Sequence, residues 1–152
     1  MLIKNGTIID GTKKERLRGD IRIEGERIKE IGNLKARGGE RVIDASDDFV
    51  APGFIDIINR SDVHFSIFER RGLRSLLAQG ITTILGGSCG SSLAPLANTE
   101  AFRSIQKWQN ISGININWVN VNEFLDEAEA HNPGVNFATL TGHATLRRGM
   151  TG

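Results

Sequence analysis

Three short segments of this sequence carry side chains that could do chemistry where predicted strands end. Asn59-Arg60-Ser61-Asp62 follows a first apolar run, Cys89 follows a second, and His143 comes directly after a third. A thiolate and an imidazole are zinc ligands, and a carboxylate can orient a neighbour or move a proton. The spacing does not resemble that of a zinc finger. Any metal site must therefore be assembled from separate loops.

Cys89 is the first candidate ligand, because Gly86, Gly87 and Gly90 let the backbone turn tightly around it. The alternative interpretation is a small buried cysteine beside a glycine-rich turn. The same GGSCGSS segment could also cradle an anion through backbone N–H groups, but it lacks the Gly-Lys-Ser/Thr ending of a phosphate-binding loop.

The positions of the three histidines predict a different role for each of them. His64 lies beyond the first predicted strand and is interpreted as a surface or capping residue, with a displaced metal ligand as the alternative. His131 closes a predicted helix, where a positive charge suits the helix dipole. His143 is predicted to be a hydrogen-bonded residue at the strand ends.

Two aspartates and one arginine complete the candidates. Asp56 lies within the first strand, and Asp62 is predicted to orient a neighbour rather than to act as a base. Arg147 is interpreted as a surface arginine, with contact to a substrate carboxylate as the alternative.

Residues 1–52 predict a first domain of short strands. Asn5-Gly6 predicts a hairpin turn, and Glu24-Gly25 and Ser46-Asp47-Asp48 predict further turns. Alternating polar and apolar residues between these turns favour a meander with one buried face.

Residues 53–152 predict a second domain in which strands and helices alternate. The predicted strands are Phe54–Ile58, Ile81–Leu85 and Val135–Leu140. The predicted helices are one ending at Gly80, one with Phe102, Ile105 and Trp108 on a face and Asn98 or Thr99 as cap, and one capped by Asn122. This order predicts a parallel sheet with right-handed crossovers, about three strand–helix units of an incomplete (β/α) TIM-type barrel, whose complete form takes ~250 residues.

The composition excludes several function classes. Apolar residues make up 39%, charged residues 24%, and the net charge is +1, so a nucleic-acid-binding surface is not expected. The basic pairs Lys13-Lys14, Arg70-Arg71 and Arg147-Arg148 are interpreted as solvated surface charge. With no membrane span, no signal sequence and one cysteine, the predicted location is the cytoplasm.

Three blocks resemble the N-acyl-D-amino-acid deacylase (D-aminoacylase) branch of the amidohydrolase superfamily. They are APGFIDIINRSD at 51–62, QGITTILGGSCGSSLAP at 79–95 and LTGHATLR at 140–147. The resemblance covers essentially the whole chain and implies the N-terminal part of such a protein. It implies an α/β fold in which part of a small β-sandwich precedes the (β/α) barrel.

The resemblance also implies a site. Cys89 is at the position of the branch's zinc ligand, and His143 and Arg147 are at positions that contact substrate. Ile58 and Arg60 replace the His-x-His pair that holds catalytic metal in the superfamily, and the resemblance implies a structural role for Asp56. Zn²⁺ at ~4 Å from an arginine is repelled by about 8 kcal/mol at an effective dielectric near 20, so the replacements argue against zinc binding by this chain.

The implied activity is hydrolysis of the amide bond of an N-acyl-D-amino acid by metal-activated water. For this chain alone we predict no appreciable activity. The prediction rests on Ile58 and Arg60, and on the later barrel strands, including the one with the superfamily's aspartate, which have no counterpart here. The alternatives are a pseudoenzyme or scaffold that needs a partner chain, and a truncated product. Open sheet edges predict a partner or self-association.

Overall fold

The computed structural model describes residues 1–69, 73–106 and 114–151. The chain divides into two compact units, Met1–Pro52 and Gly53–Gly152, each built around its own sheet. The fold is mixed α/β, which confirms the predicted class at that level. Trp108 and the pair Arg70-Arg71 lie outside the described residues.

The first unit is a five-stranded sheet centred on one strand. Its strands are β1 (Leu2–Ile8), β2 (Leu17–Glu24), β3 (Arg27–Gly32), β4 (Val42–Asp44) and β5 (Phe49–Val50). β1, β2 and β3 are antiparallel, as a meander requires. β4 and β5 instead both pair with β1, in parallel. The predicted meander is therefore wrong for its last two strands, because β4 and β5 pair with successive parts of β1.

Asn5-Gly6 forms a β-bulge within β1, so the predicted hairpin is wrong. Asn5 has a φ of 63° and its backbone N–H donates to Asp20 Oδ1 at 2.8 Å. A side chain at Gly6 would place its Cβ 2.6 Å from Val50 Cγ2. The pair supplies a left-handed residue and a close approach, which a bulge needs as much as a turn does.

Two buried charges are held by hydrogen bonds in the first unit. Arg22 is 3% exposed and pairs with Glu30 and with Glu40, whose Oε1 lies 3.0 Å from its Nε. The Arg22 guanidinium lowers the pKa of Glu40 to about 2. Asp20 accepts hydrogen bonds from the backbone N–H groups of Asn5 and Leu34 and from Lys4 Nζ. These contacts fasten the segment after β3 to the sheet.

The second unit contains a three-stranded parallel sheet in the order β6-β7-β8, which confirms the predicted parallel sheet. The strands are β6 (Phe54–Asp56), β7 (Ile81–Gly86) and β8 (Asn136–Thr139). The helices are α1 (Ser66–Glu69), α2 (Arg74–Leu77), α3 (Thr99–Gln106), α4 (Val121–Ala130) and α5 (His143–Thr151). β6 is shorter than predicted, because the chain bends at residues 57–58.

Side chains cap two of these helices. Asn98 Oδ1 accepts the Ala101 N–H at 2.8 Å, so Asn98 caps α3, one of the two predicted choices. α4 is capped by Asn120 rather than by Asn122. The reason is Glu123, which completes a capping box only with the residue three positions before it.

Aromatic rings form the centre of the second unit's core. Phe124 is fully buried, and its ring centroid lies 5.3 Å from that of Trp118, 5.8 Å from Phe137 and 6.2 Å from Phe68. His131 follows α4 as its C-cap, and its ring packs edge-on against Phe68 at 5.1 Å. It is half-buried there, so the predicted helix-end position is correct but the residue also belongs to this packing.

Among the described residues, none of the helices has the length and apolar character that crossing a bilayer requires.

Candidate functional site

The carboxyl ends of β6, β7 and β8 meet at one edge of the sheet because the three strands are parallel. We call this edge the rim, made of residues 59–62, 86–92 and 140–147. The rim therefore brings together the three segments that the sequence singled out. Ligands of parallel α/β proteins bind at this end of the strands.

Asp62 joins the first segment of the rim to the second. Its Oδ2 accepts the Gly87 N–H at 2.7 Å, and the side chain is 1% exposed. A Cβ at Gly86 would lie 2.8 Å from Asp62 Cγ and Oδ2, so glycine is needed for this approach. Asp62 thus holds the turn that presents Cys89, consistent with the orienting role that the sequence suggested.

The second oxygen of Asp62 has no such partner. Oδ1 is buried and makes no hydrogen bond with any part of the chain that the structure describes. Burial raises the pKa of the Asp62 carboxyl, and the hydrogen bond from Gly87 opposes that rise. Relative to the unfolded chain, folding therefore shifts this carboxyl towards its protonated form.

Ser92 and Thr145 join the second segment of the rim to the third. Thr145 Oγ1 accepts the Ser92 N–H at 2.9 Å and donates to the Ser92 carbonyl at 3.2 Å. The Ser92 hydroxyl accepts the Gly142 N–H at 3.0 Å. Both side chains are almost fully buried, so they fix the start of α5 against the turn after β7.

Backbone contacts tighten the same junction. The Leu140 N–H donates to the Gly86 carbonyl at 3.1 Å, and the Ala144 N–H donates to the Gly90 carbonyl at 2.9 Å. The residue after Cys89 is thereby bonded to the residue after His143. The two candidate groups belong to adjacent, mutually anchored turns.

Asp56 and Asn59 shape the end of β6. Asn59 Nδ2 donates to Asp56 Oδ2 at 2.8 Å, and Asn59 Oδ1 accepts the Ser61 N–H at 2.8 Å. The Asn59 N–H also donates to the Leu85 carbonyl at 3.2 Å. Asp56 is therefore structural, as predicted, and the turn that carries Arg60 is fixed beside β7.

The remaining predicted residues are exposed, either within the rim or, for Ile58 and His64, beside it. Cys89 is exposed with a φ of 58°, which rules out the alternative of a buried structural cysteine. Ile58 is 69% exposed, and Arg60 is exposed beside it.

His143 and Arg147 are both exposed, at the first and fifth positions of α5, and so lie on one face of that helix. His64 is exposed in the turn after the β6 end.

Sequence reasoning missed Ser92 and Thr145 and did not foresee the burial of Asp62. Ser92 lies among small polar residues and Thr145 within a short helical segment, so neither stands out by type or spacing. One available signal was the GG pair at 86–87, since adjacent glycines after a buried strand indicate that another side chain approaches the backbone closely.

Asp62→Asn is expected to stabilise the second unit relative to the unmodified chain, and more so at pH 7 than at pH 4. Asparagine keeps an oxygen for the Gly87 N–H but carries no charge. Because the folded-state pKa of Asp62 is raised, its contribution to stability is present below the unfolded pKa and is lost as the pH rises through the folded pKa. Urea denaturation of both proteins at the two pH values measures the difference.

Asp62→Ala is the matched comparison. It leaves the Gly87 N–H without its acceptor, so the free energy of unfolding should fall by about 1–3 kcal/mol at both pH values. A loss of stability in Asp62→Asn as large as that in Asp62→Ala would contradict the role of burial described above.

Comparison with known proteins finds relatives along nearly the whole chain. No protein-family model matches it. It is 38% identical over 150 residues to an N-acyl-D-glutamate deacylase of Alcaligenes xylosoxydans xylosoxydans, covering 97% of this chain and 29% of that protein. It is 35% identical over 147 residues to a D-aminoacylase of the same organism, covering 97% of this chain and 30% of the relative.

Solved structures agree with the sequence relatives. The N-acyl-D-glutamate deacylase of Bordetella bronchiseptica, in complex with zinc and a phosphonate inhibitor, matches with a TM-score of 0.81 and 36% identity over 97% of this chain and 30% of that one. A D-aminoacylase crystal structure matches with a TM-score of 0.81 and 32% identity over 99% of this chain and 31% of that one. The chain thus spans about 30% of the length of these proteins.

The residues at the rim do not fit the zinc that the resemblance implies. Protein zinc sites use at least three protein ligands. Within residues 1–69, 73–106 and 114–151, no three His, Cys, Asp or Glu side chains are grouped so that they could hold a metal ion. At the end of β6, Ile58 offers no lone pair, Arg60 is a cation, and Asp62 is buried.

Proposed function

We propose that this chain, which is of the N-acyl-D-amino-acid deacylase type within the amidohydrolase superfamily, provides part of a hydrolase scaffold for the amide bond of N-acyl-D-amino acids. The observation that carries the proposal is identity of 32–38% to such proteins over 96–97% of the chain. The chain spans about 30% of the length of these proteins, so the hydrolase activity is proposed for a protein of which this chain forms a part.

The architecture proposed for the two units follows the same argument. The unit Met1–Pro52 would be part of a small β-sandwich, and the unit Gly53–Gly152 the first portion of a (β/α) barrel. The parallel order β6-β7-β8 with helices between the strands supports the second assignment. The open sides of this sheet are where further strands would pair.

Substrate contact is assigned to His143 and Arg147. The two residues are one helical turn apart on α5, and both side chains are exposed at the rim. An arginine guanidinium binds a carboxylate with two parallel hydrogen bonds, which suits the carboxylate of an N-acyl amino acid. The imidazole of His143 can bind the acyl group or the amide nearby. Binding and orientation are thus within reach of this chain's own residues.

The chain alone is expected to have no deacylase activity. Amide hydrolysis needs an activated water, and the rim as described holds neither a three-ligand metal site nor an exposed carboxylate placed to act as a base. Release of amine from N-acetyl-D-glutamate by the purified chain, with zinc added, should not exceed the buffer rate. Turnover that is specific for the D-isomer and is abolished by chelator and by Cys89→Ala would contradict the proposal.

A chimera supplies the positive control. Residues 1–152 would replace the aligned segment of the Alcaligenes deacylase, with and without Ile58→His and Arg60→His. Turnover by the chimera that carries both histidines, and none by the chimera without them, supports a deacylase scaffold. A folded restored chimera without turnover would count against that scaffold.

The alternative is a scaffold that pairs with another chain. Its support is the exposed apolar segment at the β6 end, where Phe54, Ile55, Ile57 and Ile58 are 63–69% exposed. Apolar side chains in such a row favour association with a partner or a second copy. Self-association through this segment, with an inactive restored chimera, is the outcome that favours the alternative.

A further inference from the structure

Two side chains at the end of β6 offer no ligand to a metal ion, although the family resemblance implies metal ligands at these positions. Ile58 is 69% exposed, and Arg60 is exposed two residues later. Neither is packed into the core, so neither side chain is needed to hold the second unit together. The chemical nature of these two side chains can therefore determine which ions bind at the rim.

The backbone beneath them is held firmly. The Ile58 N–H donates to Asp56 Oδ1 at 3.1 Å, and the Arg60 carbonyl accepts the His64 N–H at 3.1 Å. On either side of Arg60, Asn59 bonds to Leu85 and Asp62 bonds to Gly87. The two positions are therefore fixed beside the turn that carries Cys89, and only their side chains fail to supply ligands.

The charges near this place disfavour a cation. Arg60 places a guanidinium at this end of β6, and a guanidinium offers only hydrogen-bond donors and repels a divalent cation. The Asp62 carboxyl lies two residues after Arg60, but it is 1% exposed and its Oδ2 accepts the Gly87 N–H. The partly buried carboxylate of Asp56 also lies here, but its two oxygens accept the Ile58 N–H and the Asn59 amide. A divalent ion at the rim would therefore meet one thiol and a guanidinium.

We infer that Arg60 and Ile58 close the rim of this chain to zinc, and that histidines at these two positions, together with Cys89, would open it. Three ligands of the His₂Cys type suffice for zinc with water in the fourth position. The inference rests on the same family membership as the proposed function. It concerns metal binding and not turnover, so the two can fail separately.

The test is metal binding by the 152-residue chain, with Co²⁺ and Zn²⁺ as probes. A cobalt–thiolate charge-transfer band reports ligation by Cys89, and competition with Zn²⁺ gives the affinity. We expect no such band in the unmodified chain. The double variant Ile58→His/Arg60→His should show the band and bind zinc at least about 100-fold more tightly than the unmodified chain. Adding Cys89→Ser to the double variant should remove both effects.

Two further variants separate charge from ligands. Arg60→Ala removes the cation without adding a ligand and should leave zinc binding weak, whereas Arg60→His alone should give an intermediate affinity. All of these positions are exposed, and circular dichroism checks that the variants are folded. Cys89-dependent zinc binding by the unmodified chain as tight as that of the double variant would overturn the inference. So would a folded double variant that binds no better than the unmodified chain.

Discussion

Gly87→Ala is expected to destabilise the second unit by about 4 kcal/mol, because the added methyl group has no space and the backbone is unfavourable for alanine. A Cβ at this position would lie 2.0 Å from the Leu140 carbonyl oxygen and 2.8 Å from its carbon. The φ of Gly87 is 73°, in the left-handed region. Since the atoms in the way belong to the backbone after β8, relief requires the two turns of the rim to separate.

Gly90→Ala is the matched control for this prediction. Gly90 has a φ of 78°, yet the nearest atoms to its added Cβ, in Ala144, are 3.9 Å away. Its cost should be that of the left-handed backbone alone, about 1 kcal/mol. Both tryptophans lie in residues 53–152, so their fluorescence in urea follows the second unit. Equal losses in the two variants would show that contact with Leu140 does not limit the turn.

The parallel sheet of the second unit could be predicted from sequence because its signals are local. Residues 81–85 form a β-branched run, and Gly80 ends the preceding segment with a φ of 78°. The capping residue of α4 was predicted two positions late, at Asn122. There the choice depends on the side chain of Glu123, which reaches back to Asn120.

The first unit shows where local signals fail. Asn5-Gly6 is a strong turn signal, yet β1 continues through it because two separate strands pair with β1 on either side of the bulge. Val50, whose side chain lies over Gly6, is far away in sequence. An Asn-Gly hairpin turn and this bulge both use a left-handed residue at Asn5, so the sequence signal is shared and the distant partners decide between them.

The candidate site likewise has one part that could be predicted from the sequence and another that could not. Cys89, His143 and the residues at 58–62 could be placed at one edge from the order of strands and helices alone. The burial of Asp62 and the bonds between Ser92 and Thr145 could not, since both depend on how far apart the strand ends lie and on which glycines leave room. Residue type and spacing thus give the groups at the rim, whereas distances in the fold decide which of them remain accessible.

Phe124→Ala is expected to lower the free energy of unfolding of the second unit by about 4 kcal/mol. The ring is fully buried and contacts the rings of Phe68, Trp118 and Phe137, so its removal leaves a cavity at the centre of the aromatic cluster. α4 carries Phe124 and β8 carries Phe137. The loss therefore weakens the packing of a helix against the strand that leads to His143.

Phe54→Ala provides the comparison, because Phe54 is the same residue type in the same unit but is 63% exposed. Its effect on urea denaturation should stay within about 0.5 kcal/mol. A similar loss in both variants would mean that the exposed apolar segment at β6 is covered in solution, which the sedimentation of the unmodified chain would then report as self-association. A large loss for Phe124 alone assigns the stability of the second unit to its aromatic core and leaves the β6 segment free for a partner.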